Sequence, residues 1–430
     1  MRYPAYLEQN FTFPDFFRVQ MRYPRFQIDN IENAVSQALD EVLPQSGIRA
    51  GHRVAIGVGS RGIANLPLMI RTLCRRFIKM GAFPIIVPAM GSHGSATDKG
   101  QEDVLKTLGI TEKFCGAPIR SSLAVRQVGT AFGKVPVWFS QDALNADHSI
   151  CLNRIKPHTK FKADVESGLS KMLCVGMGKH KGALAYHKWA LKFGFASLVK
   201  EMAQTIIADT NFRFGIGIVE NAYDQTLKIE ALPGQRIATR EPALLEIAKA
   251  NFPQLPIAQT DVLIIGQIGK EISGAGMDPN VTGRAFDLKE SDFSSVLQAA
   301  RIAILNLSAK TEGNAIGLGN ADFITEKVFQ ATDYEATLMN ALTSMSLRKA
   351  FIPIRLTNDR KVIQACFTTL GPVPADTVRA VIIRDTLHLS EFWVSDALTP
   401  ELSQTQGAEI LESVHLQFDQ NGNLCVPYLR

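Results

Sequence analysis

The chain has 430 residues, of which 46% are hydrophobic and 20% are charged, and its formal net charge is +5. This length exceeds what one hydrophobic core usually organises, so it predicts two domains. The composition is that of a folded protein and argues against disorder. A charge this small favours small anionic ligands, and it excludes the concentrated basic surface of a nucleic-acid-binding protein.

The cysteines and the apolar runs exclude further classes. Six cysteines are scattered without a CxxC pair, which argues against a zinc ribbon, an iron–sulfur cubane or a disulfide scaffold. The first residues, "MRYPAYLEQNFTFPDFF", lack the apolar segment of a secretory signal. No apolar run is long enough to span a bilayer. We therefore expect a cytoplasmic protein without a membrane partner.

Helical and β-rich runs alternate after an N-terminal arm and a first helix. After an aromatic arm to about residue 27, "NIENAVSQALDEVL" predicts a helix, and "RVAIGVG" a buried strand. A helix ("ANLPLMIRTLCRRFIKMG"), a strand ("FPIIVPAM"), a helix ("KGQEDVLKTLG") and a strand ("HSICLNRI") follow. The pattern continues to "TDVLIIGQIG", which we expect to close the first domain near residue 269. This alternation predicts parallel sheets covered on both faces.

A second series follows the Gly-rich stretch "GKEISGAGMDPNVTGR". It contains strands such as "ARIAILNLS" and "VRAVIIRD", helices near 322–330 and 334–344, and a final hairpin that turns at Asn421-Gly422. We predict an arm and helix over 1–48, an α/β cofactor domain over 49–275, and an α/β domain over 276–430. The fold class is therefore α/β, with two mainly parallel domains and an interdomain cleft in which a ligand binds.

The first predicted strand runs into "GVGSRG", which matches the GxGxxG pattern of dinucleotide-binding folds. The next strand ends without the acidic residue that would hold a ribose. Arg61 suits a clamp for a phosphate or a carboxylate. An NAD-dependent oxidoreductase therefore stays open as an alternative.

Two histidines follow predicted strands directly. His93 lies in "AMGSHG", and His158 lies in "NRIKPHT" behind Pro157. The carboxyl ends of parallel strands are where α/β folds bind ligands. The sequence therefore predicts that His93, His158 and Arg61 share one edge of the first sheet.

The segment "SGLSKMLCVGMGKHKGA" combines an apolar run with glycines and lysines. We expect the run to be a strand opened by Lys171, whose partly buried amine favours covalent chemistry. Gly176, Gly178 and Lys179 predict a turn that binds a phosphate. His158, His180 and His187 could instead form a zinc site, although no close histidine pair supports it. A non-catalytic protein that binds a phosphate or nucleotide also stays open.

These motifs together resemble the nickel-dependent lactate racemase (LarA-type) superfamily. The resemblance is carried by "GVGSRGIAN", "AMGSHG", "KPHTKF", "GLSKM" and "YHK", and it covers about residues 50–345. Such enzymes use a nickel-pincer nucleotide of the pyridinium-3,5-bisthiocarboxylic acid mononucleotide type. The resemblance implies that Lys171 holds this cofactor and that His187 is a nickel ligand. It also implies that His93 and His158 are the acid/base pair.

The same resemblance implies further contacts and partners. Arg61, Ser60, Gly176, Gly178 and Lys179 are expected to contact the cofactor, and Arg61 also the substrate. Because Val58 and Ser60 depart from the Asp-x-Thr-Arg of the lactate enzymes, the substrate need not be lactate. Arg284 and Asn280 are the candidate substrate contacts in the second domain. Cofactor-maturation proteins, of the pyridinium carboxylase, sulfur transferase and nickel insertase types, are the expected partners.

The implied activity is a racemase or epimerase that inverts C2 of a 2-hydroxy acid. A proton α to a carboxylate is very weakly acidic, whereas removal of the hydrogen as hydride through the nickel-pincer nucleotide avoids a carbanion. One imidazole takes the hydroxyl proton, and a second serves the opposite face. The pKa of histidine, near 6.5, suits both directions of such a reaction.

Overall fold

The structure is a computed structural model, and it describes residues 3–60, 62–285, 293 and 297–425. The strands are β1 (Phe16–Met21), β2 (Arg53–Val58), β3 (Phe83–Pro88), β4 (Val125–Ala131), β5 (Val135–Ser140), β6 (His148–Arg154), β7 (Phe212–Glu220), β8 (Thr226–Pro233), β9 (Gln259–Ile268), β10 (Gln298–Leu307), β11 (Phe323–Thr325), β12 (Ile354–Leu356), β13 (Ala380–Ile383), β14 (Glu391–Ser395) and β15 (Ala408–Val414).

The helices alternate with these strands. They are α1 (Ala5–Glu8), α2 (Ile31–Ser46), α3 (Leu66–Lys79), α4 (Asp98–Thr107), α5 (Glu112–Cys115), α6 (Gln141–Leu144), α7 (Leu169–Lys171), α8 (Lys179–Phe193), α9 (Phe195–Asp209), α10 (Gly234–Ala250), α11 (Pro279–Thr282), α12 (Glu326–Gln330), α13 (Tyr334–Ser344), α14 (Asp359–Thr368) and α15 (Thr399–Leu402). None of them, within the part of the chain that the structure describes, is long and apolar enough to cross a membrane.

The chain divides into two compact units. The five-strand unit comprises Pro24–His158 and Lys162–Phe252, and the eight-strand unit comprises Met1–Tyr23, Thr159–Phe161 and Pro253–Arg430. This division differs from the domain limits expected from the sequence, because β9 pairs with β10 and β13 in the eight-stranded sheet. The strand expected to close the first domain therefore opens the second. The aromatic arm also differs, since its strand β1 pairs with β14 and β15.

The five-strand unit is built on the sheet order β3-β2-β6-β7-β8, in which only β8 runs antiparallel. Both faces are covered, because successive residues of β2 pack into different cores. Val54 and Ile56 lie in one cluster with α2 and α3, whereas Ala55 lies in another with α9 and α10. Burial on both faces explains the continuous apolar run of this strand. The antiparallel pair β4-β5 forms a separate ribbon.

The eight-strand unit has the sheet order β12-β11-β10-β9-β13-β14-β1-β15. The pairs from β12 to β13 are parallel, and those from β13 to β15 are antiparallel. At the end of the described chain, Phe418 and Leu424 form an isolated antiparallel bridge around a turn in which Gly422 has φ +78. The predicted hairpin turn is therefore present, and the last four residues of the predicted hairpin, 426–429, lie outside the described residues. The α/β class with mainly parallel sheets is confirmed.

The segment after Gly168 is the main error in the predicted elements. The sequence predicts a strand from Lys171, whereas the structure has α7, one π-helical turn over Met172–Gly176, and then α8. The π-helical turn is closed by the bond from the Met177 N–H to the Met172 carbonyl, at 2.8 Å. A short apolar run has no period that separates a buried strand from a buried helix, which explains the error.

The cysteines are almost all interior. Within the described chain, Cys74, Cys115, Cys151, Cys174 and Cys366 are buried free thiols, and Cys425 is half-buried. Burial raises the pKa of Cys74 and of Cys174 to about 12. These thiols therefore behave as small apolar side chains.

Candidate functional site at the carboxyl edge of the five-stranded sheet

Three candidate side chains follow neighbouring strands of the five-stranded sheet. Ser60 follows β2, His93 follows β3, and His158 follows β6, and the sheet order places β2 between the other two. Ser60 Oγ and His93 Nδ1 are hydrogen-bonded to each other. This bond joins the loops that leave β2 and β3. Arg61, which we expected in the same cluster, lies outside the described residues.

A buried glutamine holds the loop that carries His93. Gln101 on α4 is fully buried, and its side-chain amide donates to the Gly91 carbonyl at 3.0 Å and to the His93 carbonyl at 3.3 Å. Gly94 has φ +64, and a Cβ at this residue would lie 2.5 Å from the Gly100 carbonyl carbon. The loop is therefore fixed on the side away from the exposed His93 ring.

Lys179 lies beneath the same loop, in the interior. Its side chain is fully buried, and its amine donates to the Pro88 carbonyl and, at 3.4 Å, to Gln101 Oε1. Burial lowers the pKa of this amine to about 8, although the nearby carboxylates of Asp142 and Asp98 act in the opposite direction. Its backbone has φ +53, in the left-handed region that costs a side-chain-bearing residue free energy. Lys179 thus supports the end of β3.

We expected an open, phosphate-binding turn at Gly176, Gly178 and Lys179. The structure has helical segments there instead. Gly176 belongs to the π-helical turn, and Gly178 precedes α8. A Cβ on Gly178 would lie 2.2 Å from the Cys174 carbonyl oxygen, and one on Gly176 would lie 2.7 Å from the Ala89 carbonyl oxygen. These glycines therefore allow close helix packing. The sequence shows that Lys179 lies among glycines, but it gives no sign that its side chain is buried.

Glu166 organises the loop that carries His158. The His158 N–H donates to Glu166 Oε2 at 2.7 Å, and the Ala163 N–H donates to Oε1 at 3.1 Å. Lys249 pairs with the same carboxylate at 3.1 Å. Glu166 is 1% exposed, so this carboxylate is a buried anchor for the loop. Sequence reasoning missed it, because an acidic residue in a loop gives no sign of burial.

A second close contact of the site joins Lys171 and His158. Lys171 Nζ lies 2.6 Å from His158 Nε2, and both side chains are half-buried. A charged lysine carries only donors, so Nε2 is the acceptor when the amine is charged. The structure thus brings together two of the residues that the sequence singled out.

A second buried acid positions Lys171. On α10, Glu241 accepts hydrogen bonds from the Ser170 hydroxyl and from the Ser170 N–H, the latter at 3.1 Å. Burial raises the pKa of Glu241, and the bonds from Ser170 act against that rise. Because Ser170 precedes Lys171 in α7, the bonds to Glu241 fix the backbone from which the Lys171 side chain extends. The sequence offered no sign of this contact either.

His187 lies on α8 in the five-strand unit. Its ring is half-buried and meets the ring of Tyr186 edge-to-face, with centroids 5.4 Å apart. Among the described residues, no group of three or more histidine, cysteine, aspartate or glutamate side chains could hold a metal ion. The three-histidine zinc centre considered from the sequence is therefore not formed.

Arg284 and Asn280 lie in the eight-strand unit and bond within it. Arg284 Nη1 lies 2.6 Å from Asp322 Oδ2, and its Nη2 donates to the Ala299 carbonyl at 2.8 Å. Asn280 is 1% exposed, and its amide donates to Asp278 Oδ1 at the start of α11. Both side chains therefore stabilise the Gly-rich stretch in this structure.

Of the three glycines of "GVGSRG", Gly57 is the one that is closely packed, and a Cβ on Gly62 would meet nothing within 4 Å. A Cβ on Gly57 would lie 2.5 Å from Met177 Sδ, and one on Gly59 would contact Met172 Cε at 3.5 Å. Gly57 thus lets the Met177 side chain pack directly on the end of β2.

Comparisons with known proteins show likeness to solved structures. No known family profile matches the chain, and no curated protein sequence matches it. Among solved structures, the chain is similar to the lactate racemase apoprotein from Thermoanaerobacterium thermosaccharolyticum. The identity is 13%, the TM-score is 0.45, and the match covers 85% of this chain and 88% of that chain. A likeness of this size carries no argument about activity, so the function proposed next rests on the residues of the site.

Proposed function

We propose that the protein is a racemase or epimerase acting at C2 of a 2-hydroxy acid, with Lys171 as the attachment point of a nickel-pincer nucleotide. The observation that carries the proposal is the 2.6 Å contact between the Lys171 amine and His158 Nε2. An amine beside a base can lose its proton and act as a nucleophile. The contact also lies where parallel sheets bind ligands, at the carboxyl end of β6.

The donor set fits this cofactor. A nickel-pincer nucleotide brings its own sulfur and carbon donors, so it needs one amine and one protein nitrogen instead of a metal-binding cluster. Lys171 would supply the amine, and His187, on α8 of the same unit, would supply the imidazole. When bound, the cofactor would supply a hydride acceptor for C2 of the substrate.

The remaining steps belong to the histidines of this chain. His158 would take the proton of the substrate hydroxyl at Nε2, the atom that accepts from Lys171 here. An amine engaged in a thioamide is no longer a cation beside His158, so the imidazole could then hold or release a proton. His93 would serve the opposite face, with its ring oriented by the bond between Nδ1 and Ser60 Oγ. Ser60, and Arg61 beside it, are the proposed contacts to phosphate or carboxylate.

The loop anchors serve the same reaction. General acid/base catalysis needs the imidazole within hydrogen-bond reach of the proton that it moves. Glu166 fixes the backbone of His158, and Gln101 fixes that of His93. Both histidines can therefore keep their positions while the substrate changes from a tetrahedral to a planar centre and back.

The first experiment measures attachment. The chain is produced together with the cofactor-maturation proteins named above, and its intact mass is compared with that of Lys171→Ala and Lys171→Arg. We expect an adduct on the unaltered chain and none on either variant, because only a primary amine forms the thioamide. Absence of an adduct on the unaltered chain, or its persistence on Lys171→Arg, contradicts the proposal.

The second experiment measures turnover. Loaded protein is assayed for racemisation across a panel of chiral 2-hydroxy acids, including lactate, malate and sugar acids. His158→Gln and His93→Gln should keep the adduct and lose about 10²–10⁴-fold in turnover, the usual contribution of a general acid or base. Full activity in both variants would show that the acid/base roles are wrong.

A further inference from the structure

An exposed apolar face lies on the eight-strand unit. Of the seventeen large apolar side chains that are exposed in the described chain, eight fall within 334–354. Tyr334, Leu338 and Leu342 recur every fourth residue along α13, and Met339 lies beside them. Their exposed fractions run from 40% to 61%. Residues at this spacing share one side of a helix.

The chain that follows α13 packs against it and carries four more exposed apolar side chains. Met345 has φ +56, and the Ser346 N–H bonds back to the Ala341 carbonyl at 3.0 Å, so the chain reverses at the end of the helix. Ala341 and Ala350 pack together beneath the reversal. The side chains exposed after the reversal are Leu347, Phe351, Ile352 and Ile354. Ile354 begins β12, the edge strand of the eight-stranded sheet.

We infer that this apolar face, residues 334–354, is the two-fold interface through which two copies of the chain form a dimer. A fully exposed large side chain presents on the order of 200 Å², so at these exposures each contributes about 100 Å² and the eight together about 800 Å². A standard interface buries about 800 Å² per partner. Monomeric surfaces rarely leave so large an apolar patch uncovered.

The composition favours a protein partner over a membrane. Tyrosine, phenylalanine, methionine and arginine are enriched in interface cores, and this face has Tyr334, Phe351, Met339 and Arg348. A membrane-binding surface would add a cluster of basic residues, whereas Arg348 and Lys349 are the only basic residues between 334 and 354. Lys349 is also 4% exposed.

The sheet edge favours a second copy as that partner. β12 pairs with β11 on one side, and the sheet order shows no strand beyond it in the described chain. Two copies of an edge strand related by a two-fold axis can pair in antiparallel fashion, which satisfies both edges at once. The exposed large side chains of the face are apolar, and a two-fold axis would bring the same apolar surface of each copy together.

The test measures the molecular mass of the unliganded full chain at micromolar concentration by light scattering and sedimentation. We expect twice the monomer mass of 47.2 kDa. The double variant Met339→Glu/Leu342→Glu should sediment as a monomer, because buried charges facing each other weaken dimerisation by at least about 100-fold. The matched control is Ile78→Glu, an exposed helical apolar residue of the five-strand unit, and it should stay dimeric.

Three results would overturn the inference. They are a monomeric unaltered chain at every concentration, a dimer that persists in the double variant, and dissociation of the Ile78→Glu control. If the double variant does not fold, Met339→Cys in a Cys425→Ser background replaces it. A short bismaleimide should then join two chains in high yield, and absence of the cross-link would refute the interface.

Discussion

The buried amine of Lys179 makes a prediction about stability and pH. Its pKa falls from 10.5 to about 8 on folding, mainly because burial removes the charged amine from water. One pKa unit corresponds to about 1.36 kcal/mol, so the charged amine lowers the free energy of unfolding by about 3 kcal/mol at neutral pH. Between pH 8 and 10.5 the unfolded chain binds more protons than the folded chain, so this contribution to the free energy of unfolding rises with pH.

The assay compares the unaltered chain with Lys179→Met. The unfolding free energy of the unaltered chain minus that of Lys179→Met should rise by about 3 kcal/mol as pH increases from 7.5 to 10.5. Denaturant unfolding followed by tryptophan fluorescence reports the five-strand unit if Trp393 is first replaced by phenylalanine. The remaining tryptophans, Trp138 and Trp189, both lie in that unit.

A surface lysine provides the control for Lys179. Lys106 is exposed, and its contact with Glu102 raises its pKa. The difference between the unaltered chain and Lys106→Met should therefore fall slightly as pH rises, opposite in sign to that of Lys179. A pH-independent difference for Lys179→Met would refute the claim that the buried amine releases its proton inside the fold.

Three further predictions concern the same unit. Burial and the adjacent Arg213 lower the pKa of His148, so the unaltered chain should lose stability relative to His148→Gln as pH falls below about 6.5, measured by thermal melts across pH. Gly94→Ala should lower the free energy of unfolding, measured with denaturant, by about 3 kcal/mol, and Gly51→Ala by about 1 kcal/mol. Both glycines have positive φ, but only at Gly94 would a Cβ meet backbone atoms. Equal losses in the two variants would contradict this reasoning. Glu166→Gln should speed hydrogen exchange at the amides that its carboxylate binds by at least about 10-fold, and unchanged protection would show that the anchor is dispensable.

The sequence predicts the regular elements of this fold well. Helix α2 begins at its capping Asn30 and ends before Gly47, and the alternation of strands and helices gives the α/β class. The prediction of a strand after Gly168 is wrong because a fully buried segment lacks the periodicity that separates a helix from a strand. The expected position of β9 in the first domain differs from the structure for another reason. Its sequence shows that it is a buried strand, but not which sheet it joins.

The candidate site is predictable only in its chemical groups. His158 and Lys171 are recognisable as titratable groups at a strand end and beside an apolar run, and the structure places them in contact. Glu166 and Glu241, which position these groups, are not recognisable. Their role depends on burial produced by distant segments, such as the approach of α10 to Ser170. In the sequence, an acidic residue that becomes buried looks the same as one that stays exposed to solvent.

The interior thiols give each unit its own unfolding probe. Cys74, Cys151 and Cys174 lie in the five-strand unit and Cys366 in the eight-strand unit, and all four are buried. A protonated, sheltered thiol does not react with an alkylating reagent until its surroundings open. Pulsed alkylation followed by peptide mass spectrometry would therefore time the opening of each unit separately. The same shelter keeps these sulfur atoms away from soft metal ions in solution for as long as the chain stays folded.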